Sequence, residues 1–282
     1  VETIGSSLLG RATKSAVHKL LDWRWTRDPV AKLGRYVYNR WNGDNDADMA
    51  TNGEDALIAR LAELLGDRPA VLLDVGANLG EWTRAVHRRL GPEATVYAFE
   101  PVASIHAQLE RNVRELGKGA RVIVANAALG DADGSALMRV YGGGASSFHD
   151  RSLLVSAHAA PSEEVRCTRG DTFCREHGIE RIDFVKIDVE GHELAVLQGF
   201  ETMLAAGRID ALQFEYGGAW IDSRTWLRDA FDLLMRHGYA VGKVVSSGIR
   251  WLPRYEWRFE TFQYANYVAA RPELRTRLAG SR

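Results

Sequence analysis

The feature that most constrains this chain is a rhythm: from Val71 onward, apolar runs of strand length alternate with amphipathic stretches of helix length. Parallel strands need crossovers of about a dozen residues or more, usually helical, so this alternation describes an α/β fold with a mostly parallel sheet. Parallel strands are expected at Ala70–Val75, Val96–Glu100, Val122–Asn126, Ile182–Asp188 and Ala211–Tyr216, and a closing antiparallel pair at Tyr239–Val245 and Phe262–Ala269. The first crossover helix should run from Glu81 to Leu90, with Trp82, Ala85, Val86 and Leu90 on one face. Residues 135–168 break the rhythm. Short strands at Ser135–Tyr141 and Glu164–Thr168 flank a glycine-serine loop, Gly142–Ser147, and read as an antiparallel insertion. Residues 1–66 read as an N-terminal helical extension and residues 67–282 as the sheet domain.

Composition narrows the classes of function. Hydrophobic residues make up 46% and charged residues 26%, enough for a sizeable core, and the net charge is -1. Nucleic-acid binding leans on a basic excess that neutralises phosphates, and the chain as a whole has none. No run approaches the ~18 apolar residues of a transmembrane segment. With Cys167 and Cys174 read as free thiols, the chain reads as cytoplasmic. One block is lopsided: residues 1–41 hold eight Lys and Arg against three acids. That block suits a solvated helical cap, or docking to an anionic membrane surface or an acidic partner.

The first strand leads into Asp74-Val75-Gly76-Ala77-Asn78-Leu79-Gly80. A strand ending in an acid, then a glycine-rich turn, then a helix places a nucleotide-type site at the carboxyl end of a parallel sheet. A dinucleotide fingerprint needs glycines at 76, 78 and 81, but 78 is Asn and 81 is Glu. Glu81 at the helix start repels a pyrophosphate. S-adenosylmethionine has no phosphate, and its amino group can pair with Asp74 while Gly76 and Gly80 let the backbone pass close. A plain tight turn is the bland alternative. Glu100, followed by Pro101, ends the second strand where an acid accepts hydrogen bonds from a ribose diol. Asn126 and Ala127 follow the third strand and suit an adenine edge, or a plain strand exit.

The densest polar group, Asp188-Val189-Glu190-Gly191-His192-Glu193, follows the fourth strand. Methyl transfer to a hydroxyl needs an aligned nucleophile and a proton acceptor. His192 is the candidate base, with a helix N-terminal histidine bonded to a carbonyl as its bland reading. Asp188 and Glu190 share the candidate catalytic group. Asp188 with Glu215, at the end of the fifth strand, forms a candidate magnesium site. The Pro-Pro turn of many nucleobase methyltransferases is absent, which favours oxygen over nitrogen.

At Leu73–Gly80, Phe99-Glu100-Pro101 and Lys186–Glu193, the chain resembles the FkbM family of class I S-adenosylmethionine-dependent methyltransferases. Asn52-Gly53-Glu54 and Ser146-Ser147 support the resemblance, which covers roughly residues 50–270. It departs from the family at Thr168-Arg169-Gly170-Asp171, where Thr-Leu-Asp is frequent. The resemblance implies a Rossmann-like, seven-stranded sheet of order 3-2-1-4-5-7-6, with Glu54 joining the cofactor-binding residues. It also implies O-methylation, with hydroxyls of sugars on glycans or glycosylated natural products, or of polyketides, as acceptors. An oxidoreductase, a methyltransferase of RNA or protein, and a non-catalytic relative that binds S-adenosylmethionine are the competing readings. Arg250–Phe259, with three arginines and four aromatics, suits a sugar face or a homo-oligomer interface. Tyr216 and Trp220 are candidate walls of the acceptor pocket.

Overall fold

The computed structural model describes residues 8–22, 24–141, 146–151 and 160–279. Gly142–Ala145 of the expected glycine-serine loop and the first seven residues of the basic block lie outside the described residues. The chain forms two compact units, residues 1–45 and 46–282. The first contains two helices, Leu8–Asp22 and Arg24–Asn42.

The second unit holds eleven strands among the described residues: β1 Ala70–Val75, β2 Ala94–Phe99, β3 Arg121–Ala125, β4 Ala128–Gly130, β5 Gly134–Arg139, β6 Ser162–Arg169, β7 Ile182–Ile187, β8 Ile209–Tyr216, β9 Ala240–Val245, β10 Gly248–Leu252 and β11 Ala265–Ala270. Eight of them form one sheet in the order β10-β9-β11-β8-β7-β1-β2-β3. β3, β2, β1, β7 and β8 run parallel, and β11, β9 and β10 complete the sheet in antiparallel pairs. The first seven positions from β3 follow the expected order. β10 is an eighth, edge strand, formed because the two-residue turn Ser246-Ser247 reverses the chain so that Gly248–Leu252 can pair with β9. The insertion is antiparallel where β5 meets β6, and β4 joins β6 in parallel as a third strand.

Helices cover both faces. Glu81–Leu90 follows β1 and buries Trp82, Val86 and Leu90, spaced four residues apart on one stripe. Trp82 stacks on Phe184 of β7 with ring centroids 5.9 Å apart. Glu54–Leu65 packs Leu57, Ile58, Leu61 and Leu65 into the same cluster, against Leu72, Phe184, Ala211 and Val268. Residues 46–66 therefore belong with the sheet, although they precede its first strand.

Strands buried on both faces read as continuous apolar runs. β1, β7 and β8 break that rule in register. Asp74 sits opposite Lys186, and Lys186 opposite Gln213, so the three project from one face of three adjacent strands. The row is 2%, 5% and 1% exposed, and it lies beneath the N-terminus of the Glu54 helix. Glu54 accepts a hydrogen bond from Gln213 at 2.5 Å and one from Asn52 at 2.8 Å.

Candidate active site

Where strand order reverses between β1 and β7, the carboxyl ends of the strands open onto solvent, and ligands of such sheets bind there. The loop after β1 is pinned from both sides. Gly76 and Ala77 donate to the Phe99 carbonyl at 3.1 and 2.8 Å, and Asp188 donates to the Val75 carbonyl at 2.9 Å. Gly76 has φ +83°, and a Cβ there would overlap the Asp188 carbonyl oxygen. The backbone of this turn is thus bare and closely packed, a cradle that a side chain would fill.

Three clefts converge on this turn, and all three are lined by Gly76, Asn78 and Asp188. The first, about 540 Å³, is mostly apolar: Phe99, Pro101, Ile105, Ala127, Leu129 and Phe148 surround Glu100. Glu100 accepts from Asn78 N at 3.1 Å with one oxygen and from Val102 N at 3.0 Å with the other. Its burial pushes the carboxyl up to about 7, against the pull of those two amides. Each oxygen keeps a lone pair for a further donor.

The second cleft, about 740 Å³, reaches Asp74 and Lys186 of the polar row, with Glu54 and Tyr264 beside them. Burial raises Asp74 to about 6, although Thr83 donates to it at 2.5 Å and Lys186 stands beside it. Burial works against the Lys186 ammonium, but Asp188, Glu54 and Glu215 together outweigh it and raise its pKa. The side chains thus offer both an ammonium and carboxylates to one ligand.

The third cleft, about 1080 Å³, is lined by Arg151, Glu190, Glu193, Glu215, Trp220 and Tyr264 besides the shared residues. Its carboxylates differ in what they already hold. Asp188 accepts from Lys186 at 2.9 Å, and Glu190 pairs with Arg151. Glu193 accepts from the amides of Val189 and Gly191 at 3.0 and 3.1 Å and so braces the turn on which Glu190 adopts φ +53°. The Glu215 carboxyl has no hydrogen bond or ion pair among the described residues. Burial raises its pKa well above the usual range, and Asp188 and Glu190 raise it further.

Sequence-expected residues fall on and off these walls. Asp74, Gly76, Ala77, Asn78, Glu100, Pro101, Ala127, Asp188, Glu190, Glu215, Glu54 and Trp220 all line a cleft. Gly80 lies behind the loop, as the N-cap of the Glu81 helix. Asn126 lines none of them, because its amide donates to the carbonyls of Glu100 and Pro101 at 3.0 and 2.9 Å. His192 also lines none. Its ring packs on Phe148 at 4.7 Å and His149 at 5.8 Å. Burial there, with His149 adding to it, pushes the imidazole down to about 4. The Tyr216 hydroxyl turns away to Glu260 at 3.0 Å, and within Arg250–Phe259, Tyr255 and Phe259 pack on Phe231. Asp188 and Glu215 reach one cleft, yet no group of three or more His, Cys, Asp or Glu among the described residues is arranged to hold a metal.

Lys186, Arg151 and Tyr264 are the site residues that sequence reasoning missed. A lysine amid Phe184, Val185 and Ile187 in a buried central strand was the available signal for the first. Arg151 and Tyr264 arrive from an insertion and from the approach to the last strand, with no spacing that points to β1.

Residues 74–241 match the methyltransferase FkbM domain. The AMB antimetabolite synthetase AmbE of Pseudomonas aeruginosa is 30% identical over 241 residues, covering 73% of this chain and 11% of the synthetase, so the chain spans a small part of that relative's length. Methyltransferase 1 of Beauveria bassiana is 26% identical over 193 residues, covering 62% of this chain and 70% of the relative. Among solved structures, precorrin-6y C5,15-methyltransferase from Geobacter metallireducens superposes with a TM-score of 0.43 and 11% identity, over 77% of this chain and 88% of that one. The domain match takes in the Asp74 loop, Glu100 and the Asp188–Glu193 turn and extends over more than half of the chain, which belongs to the FkbM family of S-adenosylmethionine-dependent methyltransferases.

Proposed function

We propose that this protein methylates a hydroxyl of a sugar, on a glycan or a glycosylated natural product. The observation that carries this reading is the convergence of three chemically different clefts on Gly76, Asn78 and Asp188. S-adenosylmethionine, when bound, supplies an electrophilic methyl group on a cationic sulfur. Glu100 would hold its ribose hydroxyls, and the apolar wall of Pro101, Ile105, Ala127 and Phe148 its adenine. Asp74 and Glu54 would face its ammonium and Lys186 its carboxylate.

The third cleft is then the acceptor's. Its lining of carboxylates, Arg151 and Tyr264 suits a polyhydroxylated ligand, which can satisfy such groups with hydrogen bonds. A sugar hydroxyl is a weak acid, so its attack needs a proton acceptor within reach. Glu215 takes that role in this reading, since the other carboxylates already hold a cation or backbone amides. His192 supports the Phe148 wall instead, and Lys186 supplies the positive charge beside Asp188 that a magnesium ion would bring.

The match to part of an antimetabolite synthetase favours a second reading, a hydroxyl on a polyketide or other non-sugar metabolite. Isotope-labelled S-adenosylmethionine with a panel of saccharides and polyketide alcohols, read by mass spectrometry, decides between them. Label on a sugar oxygen is the expected result. Label on nitrogen or carbon would overturn O-methylation, and label on non-sugar alcohols alone would overturn the sugar.

A further inference from the structure

The helix Arg24–Asn42 carries more exposed apolar surface than any need of the site explains. Leu33, Tyr36, Val37 and Trp41, at i, i+3, i+4 and i+8, are 62%, 68%, 57% and 71% exposed. At about 3.6 residues per turn these four share one face. Arg35 and Asn39 fall on the opposite side with Asp28, Lys32 flanks the apolar face beside Tyr36, and Arg40 lies within the stripe. The helix before it, Leu8–Asp22, is exposed from Thr13 to Lys19 and includes Val17 at 45%.

Charge selects the partner. Residues 8–42 contain eight Lys and Arg and two acids, in a chain whose net charge is -1, so the rest of the molecule is acidic. A helix with an aromatic-aliphatic face, basic residues around it and an excess of cations is the form that lies in a lipid interface, its apolar side among the acyl chains and its cations among anionic headgroups. No helix among the described residues is long and apolar enough to cross a membrane, so this segment would lie on the surface.

We propose that residues 8–42 dock the protein on an anionic lipid surface, with Leu33, Tyr36, Val37 and Trp41 inserted and the basic residues on the headgroups. The proposal stands apart from the methylation reading, which uses none of these residues.

The test is co-sedimentation of the full chain with vesicles of phosphatidylcholine alone or mixed with phosphatidylglycerol. Binding to the anionic vesicles should exceed binding to the neutral ones by about tenfold or more and fall steeply in high salt. Leu33→Ser/Val37→Ser and, separately, Lys32→Glu/Arg35→Glu should each weaken it by about tenfold, with thermal unfolding and cofactor affinity unchanged. Equal binding to neutral vesicles, no binding to anionic ones, or variants that bind like the parent would overturn the proposal. A dimer that the Leu33→Ser/Val37→Ser variant dissociates, in a protein that ignores vesicles, would assign the face to a second copy instead.

Discussion

Glu100 and Glu215 end two strands of one sheet, and both carboxyls are raised by burial, yet the protein equips them differently. Glu100 sits in an apolar cleft with a backbone amide on each oxygen, so its position is set before any ligand arrives. Glu215 lies in an acid-rich cleft beside carboxylates that have partners, and its own oxygens have none among the described residues. A group meant to hold a ligand gains from being fixed, since the cost of ordering it is met in folding. A group meant to move a proton gains from an open lone pair and from burial that strengthens its carboxylate as a proton acceptor. On the proposed reading, the difference separates a binding acid from a reacting one within the same fold.

The sharpest way to break that contrast is Glu215→Gln. Turnover should fall about a hundredfold or more, as for loss of a general base, with S-adenosylmethionine affinity nearly unchanged by calorimetry. Retained turnover would return the base to Asp188, Glu190 or His192. Next comes Lys186→Met, which strips the polar row of its cation and leaves Asp188, Glu54 and Glu215 without the ammonium they share. About 3 kcal/mol of stability should be lost in urea unfolding, the usual cost of breaking a buried ion pair, and no loss would show that the row needs no cation.

Glu100→Gln should weaken cofactor binding about tenfold, the worth of a charge-assisted hydrogen bond, while turnover at saturating cofactor changes little. The pH dependence sharpens the same point. Glu100 at about 7 and Asp74 at about 6 both lie above the ordinary carboxylate range. Their contribution to folding stability is therefore full below the unfolded values and is lost as pH rises through 6 to 7. A cationic ligand favours the ionised forms, so affinity should move the other way, rising over that window with protons released on binding. Calorimetry in buffers of different ionisation enthalpy reads the release, and its absence near pH 6.5 would mean both acids are already ionised. The smallest catalytic effect is expected for His192→Ala: a stability loss of about 1–2 kcal/mol from the emptied contact with Phe148, and a pH-rate profile of unchanged shape. Loss of the acidic limb of that profile would restore His192 as the base.

Most of the scaffold was legible because its signals are local. Periodicity placed β1 at its observed ends and the helix Glu81–Leu90 at both of its own, since glycines 80 and 91 cap it. Elsewhere, strand limits moved by up to three residues, the last strand starting at Ala265 instead of Phe262, and two short helices, Glu193–Gly199 and Glu201–Ala205, follow β7. β10 was hidden because its Arg250-Trp251-Leu252 opens the arginine- and aromatic-rich run to Phe259, a pattern that also suits a binding loop. His192 illustrates the opposite failure. Its residue type and its place after a central strand both suit a base, but the direction of a side chain at a helix start depends on what packs there, here Phe148 from an insertion more than forty residues earlier.

By itself the sequence determined the parallel sheet, the Asp74–Gly80 turn with its bias against pyrophosphate, and an acid at the end of the second strand. Each rests on neighbours within a few residues, where backbone geometry and periodicity act directly. Only the tertiary structure decided which carboxyls hold cations. Lys186 meets Asp74 and Gln213 through strand register, Arg151 meets Glu190 from the insertion, and Glu215 is left open between them. Charge pairing depends on distance in space, and chain separations of tens of residues carry no record of it until the sheet closes them.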